Sequence, residues 1–183
     1  MKILAVISSA RGNGTGAKLT EAVCKAAEMK GARVEYVNLY DLNFKSCGNC
    51  EMPGTEFGFC TKQDDLVPVM KQLIDADAIV WSAPVYLDYI SGTAKTFLDR
   101  FCIFVEPDFT VNRVPGKKIV IILTSGAPAD TYTGIMDSLC ETLTGFFKMD
   151  VVGRIAAGGF MEAGQEIPVE LLNQAGDIGS KLT

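Results

Sequence analysis

The chain has 183 residues, of which 48% are hydrophobic and 21% are charged, and its net charge is −5. This length and composition are typical of one ordinary globular domain, and the acidic balance argues against nucleic-acid binding, which needs a basic surface. The chain contains no histidine, which excludes Ser-His-Asp catalysis and histidine-ligated metal sites.

The N-terminal segment carries no sign of membrane insertion or export. Its apolar run, residues 3–7, is too short for a signal peptide, and Arg11 follows soon after. No apolar run approaches the roughly 18 residues that a membrane-spanning helix needs. We therefore expect a cytoplasmic protein without a membrane partner.

Strand-like and helix-like patterns alternate along the whole chain. Apolar runs predict five strands, at residues 2–8, 33–39, 77–83, 117–124 and 150–156. Between and after them, apolar residues recur at helical spacing over 19–27, 66–74, 94–102, 135–147 and 171–182. Such alternation predicts an α/β fold with a parallel sheet, right-handed crossovers and helices on both faces, formed by residues 1–183 as a single domain.

In an open parallel sheet, ligands bind beyond the carboxyl ends of the strands. The segments that follow the first, third and fourth predicted strands are 8–17, 83–92 and 124–133. The connection over 40–63 is longer than a compact domain needs between a strand and a helix, which indicates that it carries function.

The first of these segments has the sequence SSARGNGTGAKL over residues 8–19, just before a predicted helix. Helix N-termini preceded by small residues offer free backbone N–H groups and the positive end of the helix dipole to an anion. Glycines allow close approach and Arg11 can make paired hydrogen bonds to phosphate oxygens. The segment predicts a phosphate site that includes Ser9, Arg11, Asn13, Gly14, Thr15 and Gly16.

Two other interpretations of this segment remain. Gly12, Gly14 and Ala17 match the glycine fingerprint of dinucleotide-binding folds, but residues 8–11 separate the apolar run 3–7 from the first glycine. The second predicted strand also lacks the acidic residue expected at its end. The other alternative is a tight turn that merely caps the helix, a role that would not require Arg11.

The segment SAPVYLDYISGTAKTFLDR, over residues 82–100, places apolar and aromatic side chains where a solvent-facing loop would be polar. Pro84 is predicted to close the third strand, and Pro84, Val85, Tyr86 and Leu87 suit the binding of a planar ring. The alternative is that Tyr86 and Tyr89 only cover the core or a dimer contact. After the fourth strand, small residues could approach such a ring from its other side, namely Thr124, Ser125 and Gly126.

Three motifs together resemble the NADPH-dependent FMN reductase and iron–sulfur flavoprotein branch of the flavodoxin-like superfamily. They are SSARGNGTGAKLTEA, CGNCEMPGTEFGFCTKQDDL and ADAIVWSAPVYLDYISGTAKTFLDR, and the resemblance spans about residues 1–130. It implies a flavodoxin-like three-layer sandwich with strand order 2-1-3-4-5. It also implies FMN, with its phosphate among residues 9–16 and its ring against residues 84–87.

The resemblance further implies NAD(P)H-dependent reduction of a flavin, a quinone or an electron-carrier protein, in a homodimer or homotetramer. We expect no catalytic side chain, because a flavin carries its own redox chemistry. The alternatives are an electron carrier without turnover of its own and a dinucleotide-binding dehydrogenase. A phosphorylated receiver domain is disfavoured, since the third strand ends without an aspartate.

The iron–sulfur branch carries four cysteines between the second strand and the next helix. Here Cys47 and Cys50 form a C-x2-C pair, Pro53 stands at the third position and Cys60 takes the fourth. A [4Fe-4S] cluster needs four thiolates, so Cys102 would have to supply the last one. We therefore favour a segment without metal, and zinc held with Asp64 or Glu56 is a further alternative. Asp64 and Asp65 are predicted to cap the next helix.

Overall fold

The computed structural model describes residues 1–48, 60, 62–162 and 164–183. Its strands are β1 (Lys2–Ile7), β2 (Arg33–Asn38), β3 (Ala78–Tyr86), β4 (Tyr89–Ile90), β5 (Lys118–Thr124) and β6 (Asp150–Ala157). Its helices are α1 (Thr15–Glu28), α2 (Leu66–Asp75), α3 (Gly92–Asp99), α4 (Thr133–Glu141) and α5 (Val169–Leu182). No helix within these ranges is long and apolar enough to cross a bilayer.

The five long strands form one parallel sheet in the order β2-β1-β3-β5-β6. This order confirms the predicted 2-1-3-4-5 arrangement and the flavodoxin-like α/β sandwich. Helices α1 and α5 pack on one face of the sheet, around Val80 and Ile122, and helices α2, α3 and α4 cover the other face, around Trp81 and Ile121. Because both faces are covered, the central strands consist of nearly continuous apolar residues.

The third strand continues beyond its predicted end. Pro84 does not close β3, because the strand runs on to Tyr86 and pairs in register with β5, with Pro84 opposite Thr124. The chain then folds back, and β4 pairs antiparallel with the end of β3. The two turn residues, Leu87 and Asp88, both have positive φ, 47° and 62°, as the tight turn of a two-residue hairpin requires.

Helices α1 and α5 approach each other closely at Gly179. A Cβ at this position would overlap the carbonyl group of Val23 and crowd Ala26. Gly179 weakens helix propensity, yet it is the residue that allows the two helices to pack against the same sheet face. Beyond the backbone of its own helix, a Cβ added at Gly176, one turn earlier in α5, would meet no atom of the described residues within 4 Å.

We therefore expect opposite effects from two glycine substitutions in α5. Gly179→Ala should lower the free energy of unfolding by about 1–3 kcal/mol, the usual cost of overpacking. Gly176→Ala should raise it by about 0.5–1 kcal/mol through helix propensity. Urea unfolding of both variants and the wild type measures this difference, and equal effects would show that the close α1–α5 contact is unimportant.

Candidate functional site

A cavity of about 270 Å³ opens at the carboxyl edge of the sheet. Four chain segments form it, following β1, β3, β5 and β6. The residues that line it are Ser9, Arg11, Gly14, Thr15, Gly16, Pro84, Val85, Tyr86, Thr124, Ser125, Gly126, Phe160 and Met161.

The structure thus brings together all but two of the predicted cofactor residues. Asn13 instead lines a neighbouring cavity on the other side of α1, together with Lys18 and Tyr36. Leu87 lies at the tip of the β3–β4 hairpin, where it is fully exposed. Two lining residues that sequence reasoning missed, Phe160 and Met161, follow β6.

The first segment presents the N-terminus of α1 to the cavity. Gly14 is extended at the N-cap and, within the described chain, no side chain caps the helix and no acidic residue occupies its first turn. The Gly14 N–H donates to the Arg11 carbonyl oxygen at 3.0 Å, and the Arg11 N–H donates to Ser9 Oγ at 3.2 Å. The first-turn N–H groups of α1 are therefore available to an anion, with the Arg11 side chain beside them.

Small residues keep the cavity open beside the N-terminus of α1. A Cβ added at Gly16 would lie 3.4 to 3.5 Å from the side chains of Ser82 and Thr124, and would fill the space between the helix and the two strands. A Cβ added at Gly14 would come within 3.2 Å of the Arg11 carbonyl oxygen. These glycines form a cradle in which an anionic group can approach the backbone, so this end fits a phosphate.

A buried network fixes the start of the first segment. The indole N–H of Trp81 donates to Ser8 Oγ at 2.9 Å, and the Ser91 hydroxyl donates to the Ser8 carbonyl oxygen at 3.3 Å. Ser91 also accepts a hydrogen bond from the Ala94 N–H at the start of α3. The network joins the ends of β1 and β3 to α3, so the two sides of the cavity hold a fixed spacing.

The second side of the cavity is apolar and aromatic. Pro84 and Val85 are buried, whereas the Tyr86 ring is half exposed at the edge of the cavity. At the hairpin tip, Asp88 accepts a hydrogen bond from Tyr132, and burial together with this carboxylate raises the pKa of Tyr132. A flat conjugated group bound next to the phosphate end would contact this wall, so the lining as a whole fits FMN.

The segments after β5 and β6 hold each other in place. The Ser125 N–H donates to the Ala157 carbonyl oxygen, the Gly159 N–H to Ala127, and the Phe160 N–H to Ser125, all at 2.8 to 3.0 Å. The two glycines that follow the last strand, Gly158 and Gly159, are the sequence signal for this fourth segment, because the strand ends at the same sheet edge as the predicted site.

Residues 1–162 match the family model described as NADPH-dependent FMN reductase. The chain belongs to the NADPH-dependent FMN reductase family.

The comparisons agree with this membership. An iron-sulfur flavoprotein of Archaeoglobus fulgidus is 27% identical over 184 residues, covering all of this chain and 79% of that protein. One of Methanocaldococcus jannaschii is 30% identical over 100 residues, covering 55% of this chain and 51% of that protein. The chain thus spans about half the length of several curated relatives it matches.

Solved structures show the same fold. An NAD(P)H:quinone oxidoreductase from Methanothermobacter marburgensis superposes with a TM-score of 0.72 at 19% identity, covering 100% of this chain and 96% of that one. A flavone reductase also gives a TM-score of 0.72, at 20% identity, covering 100% of this chain and 62% of that one. At these identities the likeness establishes the flavodoxin-like fold alone.

The cysteine motif of this FMN reductase family member is only partly described. Cys47 and Cys60 are half-buried, whereas Cys50, Pro53 and Glu56 lie outside the described residues. In the part of the chain that the structure covers, no three Cys, Asp or Glu side chains are grouped to hold a metal ion. The iron–sulfur and zinc hypotheses therefore stay predictions.

A buried ion pair joins the start of α2 to the cysteine segment, the connection over residues 40–63. The fully buried Arg100 guanidinium makes two hydrogen bonds to the Asp64 carboxylate, at 2.7 and 3.0 Å, and a third to the Lys45 carbonyl oxygen. Asp64 also accepts the N–H groups of Lys45 and of Leu66, the first residue of α2, as predicted for a cap. With both carboxylate oxygens bound in this way, Asp64 is poorly placed to ligate zinc. Asp65 makes no capping hydrogen bond within the described chain, contrary to the prediction, because its carboxylate accepts the Asn43 N–H instead.

The same pair lowers the pKa of Asp64. Burial by itself would raise that pKa, but the hydrogen bond from Arg100, the backbone N–H donors and the nearby positive charge outweigh it and leave it below its ordinary value. A carboxyl group whose pKa is lower in the folded state stabilises the fold above its unfolded-state pKa, and this contribution is lost as the pH falls through the folded-state value.

We expect Asp64→Asn to lower the free energy of unfolding at pH 7 by about 3–5 kcal/mol, because it leaves the buried Arg100 charge without its carboxylate partner. Wild-type stability should fall as the pH drops below about 4, and the variant should lose that part of the dependence. Urea titrations between pH 7 and pH 3 measure both effects.

The matched control is Asp137→Asn, which breaks the exposed ion pair with Arg154, an interaction of 3.1 Å. It should cost less than about 1 kcal/mol. Similar losses for the two variants would contradict a special role for the buried pair.

Proposed function

We propose that this chain binds FMN at the carboxyl edge of its sheet and acts as an NAD(P)H-dependent oxidoreductase. The acceptor is a flavin, a quinone or an electron-carrier protein. One observation carries the proposal. A single cavity contains both the N-terminus of α1, which has no side-chain cap and no acidic residue in its first turn among the described residues, and an apolar wall that ends in Tyr86. Family membership and the flavodoxin-like neighbours support it.

The phosphate end would be held by backbone N–H groups at the start of α1, with Ser9 and Thr15 as short hydroxyl donors. Arg11 would bring a full positive charge to the same oxygens. Because α1 begins without an acidic residue, no carboxylate in its first turn opposes the anion. Residues 9–16 thus supply both the affinity and the orientation of the cofactor.

The ring end would lie between Val85 and Tyr86 on one side and Thr124 to Gly126 on the other. No carboxylate lines the cavity among the described residues, so the chain offers binding and shape there rather than acid–base groups. When bound, FMN supplies the hydride and electron transfer itself. The protein's part is to fix the ring at the open edge of the sheet, where a donor or an acceptor can reach it.

A second function has support of its own. Curated relatives are iron-sulfur flavoproteins, and this chain retains Cys47, Cys50 and Cys60. An electron carrier without NAD(P)H turnover is therefore the rival proposal. We also infer that residues 1–183 act as one domain within a homodimer or homotetramer, for which the exposed apolar Leu87 beside the cavity is the supporting feature.

FMN binding provides the first test. Trp81, the only tryptophan, is hydrogen-bonded to Ser8 at the start of the phosphate segment, so its fluorescence should be quenched as FMN binds. Arg11→Ala should weaken FMN binding by about ten- to more than a hundredfold, the equivalent of roughly 1.5–3 kcal/mol for a charged hydrogen bond. The control is Arg33→Ala at the opposite end of the sheet, which should bind normally.

Two results would contradict the proposal. One is a wild-type protein that stays colourless and unquenched when incubated with FMN. The other is an Arg11→Ala variant that binds FMN with wild-type affinity, which would show that the phosphate does not bind at residues 9–16.

Turnover separates the enzyme from the carrier. We expect the FMN-loaded protein to oxidise NADH or NADPH steadily in the presence of a soluble quinone, at a rate proportional to protein concentration. The carrier proposal predicts no steady oxidation of NADH or NADPH under the same conditions. Iron analysis and the visible spectrum of protein purified without oxygen test the cysteine segment at the same time, since a cluster adds broad absorbance to that of the flavin.

A further inference from the structure

Met161 is an unusual surface residue. It is 79% exposed, yet it lines the cavity, and its Cγ lies 3.4 Å from the position that a Cβ on Gly126 would occupy. The preceding Phe160 is buried against the sheet face that packs on α1 and α5. Phe160 therefore anchors the segment, while the flexible thioether side chain of Met161 lies at the cavity mouth.

The backbone on both sides of this contact is fixed. The Phe160 N–H donates to the Ser125 carbonyl oxygen at 3.0 Å, directly beside Gly126, and the Gly159 N–H donates to Ala127 at 2.8 Å. At Gly158, a side chain would overlap the backbone of residues 127–129, so only glycine allows this approach. The paired backbone segments thus fix where residue 161 lies beside Gly126, and the Met161 side chain extends from there to the cavity mouth.

This contact lies at the ring end of the cavity rather than at its phosphate end. Thr124, the last residue of β5, has its side chain beside Gly16 at the phosphate end and pairs through its backbone with Pro84 at the start of the apolar wall. Gly126 lies two residues further along the chain, beyond the end of the strand. The phosphate end is built by residues 9–16, from the segment between β1 and α1. A planar group placed against Val85 and Tyr86 would therefore meet Gly126 and Met161 on its other side.

We propose that Met161 is a ring-contact residue that covers the isoalloxazine of the cofactor opposite Tyr86. This inference rests on the proposed function, and it adds a fourth segment to the site. Thioether sulfur atoms make favourable contacts with aromatic rings, and the unbranched side chain adapts to the ring it covers. The polarizable contact would contribute to the affinity for the ring and leave the affinity for the phosphate unchanged.

The binding test uses two ligands that share the ring and differ in the phosphate, FMN and riboflavin. Met161→Ala should weaken the binding of both by the same factor, about two- to tenfold, the range for a thioether on an aromatic ring. Arg11→Ala should weaken FMN binding and leave riboflavin binding unchanged. Met29→Ala, which changes a methionine that is 87% exposed and does not line the cavity, should change neither.

Oxidative footprinting gives a readout that needs no variant. Methionine oxidation by hydrogen peroxide follows exposure, and Met161 and Met29 are both highly exposed. Saturating FMN or riboflavin should slow sulfoxide formation at Met161 severalfold, as measured by peptide mass spectrometry, and should leave the rate at Met29 unchanged. Inorganic phosphate alone should protect neither residue.

Different outcomes identify which proposal fails. If the wild type binds neither flavin, the proposed function fails and the ring contact fails with it. If FMN binds but Met161 oxidises at an unchanged rate, or if Met161→Ala affects FMN and spares riboflavin, the proposed function stands and the ring contact is wrong. Protection of Met161 by phosphate alone would place it at the other end of the cavity and also overturn the inference.

Discussion

The parallel pairing of β1, β3, β5 and β6 decides where every residue of the candidate site lies. Ile7 pairs with Ser82, and Pro84 pairs with Thr124. The strands therefore end at the same edge of the sheet, within a few residues of each other. The cavity is the space between the ends of neighbouring strands and the segments that follow them. A shift of one residue in this register would exchange the side chains of the two sheet faces and misplace the segments together.

Different parts of the molecule therefore provide its folding stability and its candidate binding site. The strands and the inner faces of the helices are apolar and buried, and the free energy of folding comes largely from them. The segments at the carboxyl edge are held instead by backbone hydrogen bonds and by a few buried polar contacts, such as Trp81 with Ser8. The exposed side chains of these segments, such as Met161, can therefore vary in chemistry without disturbing the sheet.

Much of this architecture could be predicted, because the five long strands and five helices carry strong apolar periodicity. The β3–β4 hairpin could not, since β4 has only two residues and its turn lacks the glycine or asparagine that usually marks such a turn. The ion pair of Arg100 with Asp64 joins residues 36 apart, and no local pattern reports such a contact. Phe160 and Met161 were missed because their place in the cavity lining depends on the backbone pairing of two distant segments.

The hairpin tip has a consequence for how this protein can change. Leu87 is fully exposed and has a φ of 47°, a backbone region that costs a residue with a side chain roughly 1–2 kcal/mol. Neither solvation nor backbone preference favours leucine there, and asparagine or glycine would suit the isolated chain better. Replacing Leu87 by asparagine or glycine, in evolution or by design, would therefore remove an exposed apolar side chain beside the cavity and raise the folding stability in the same step.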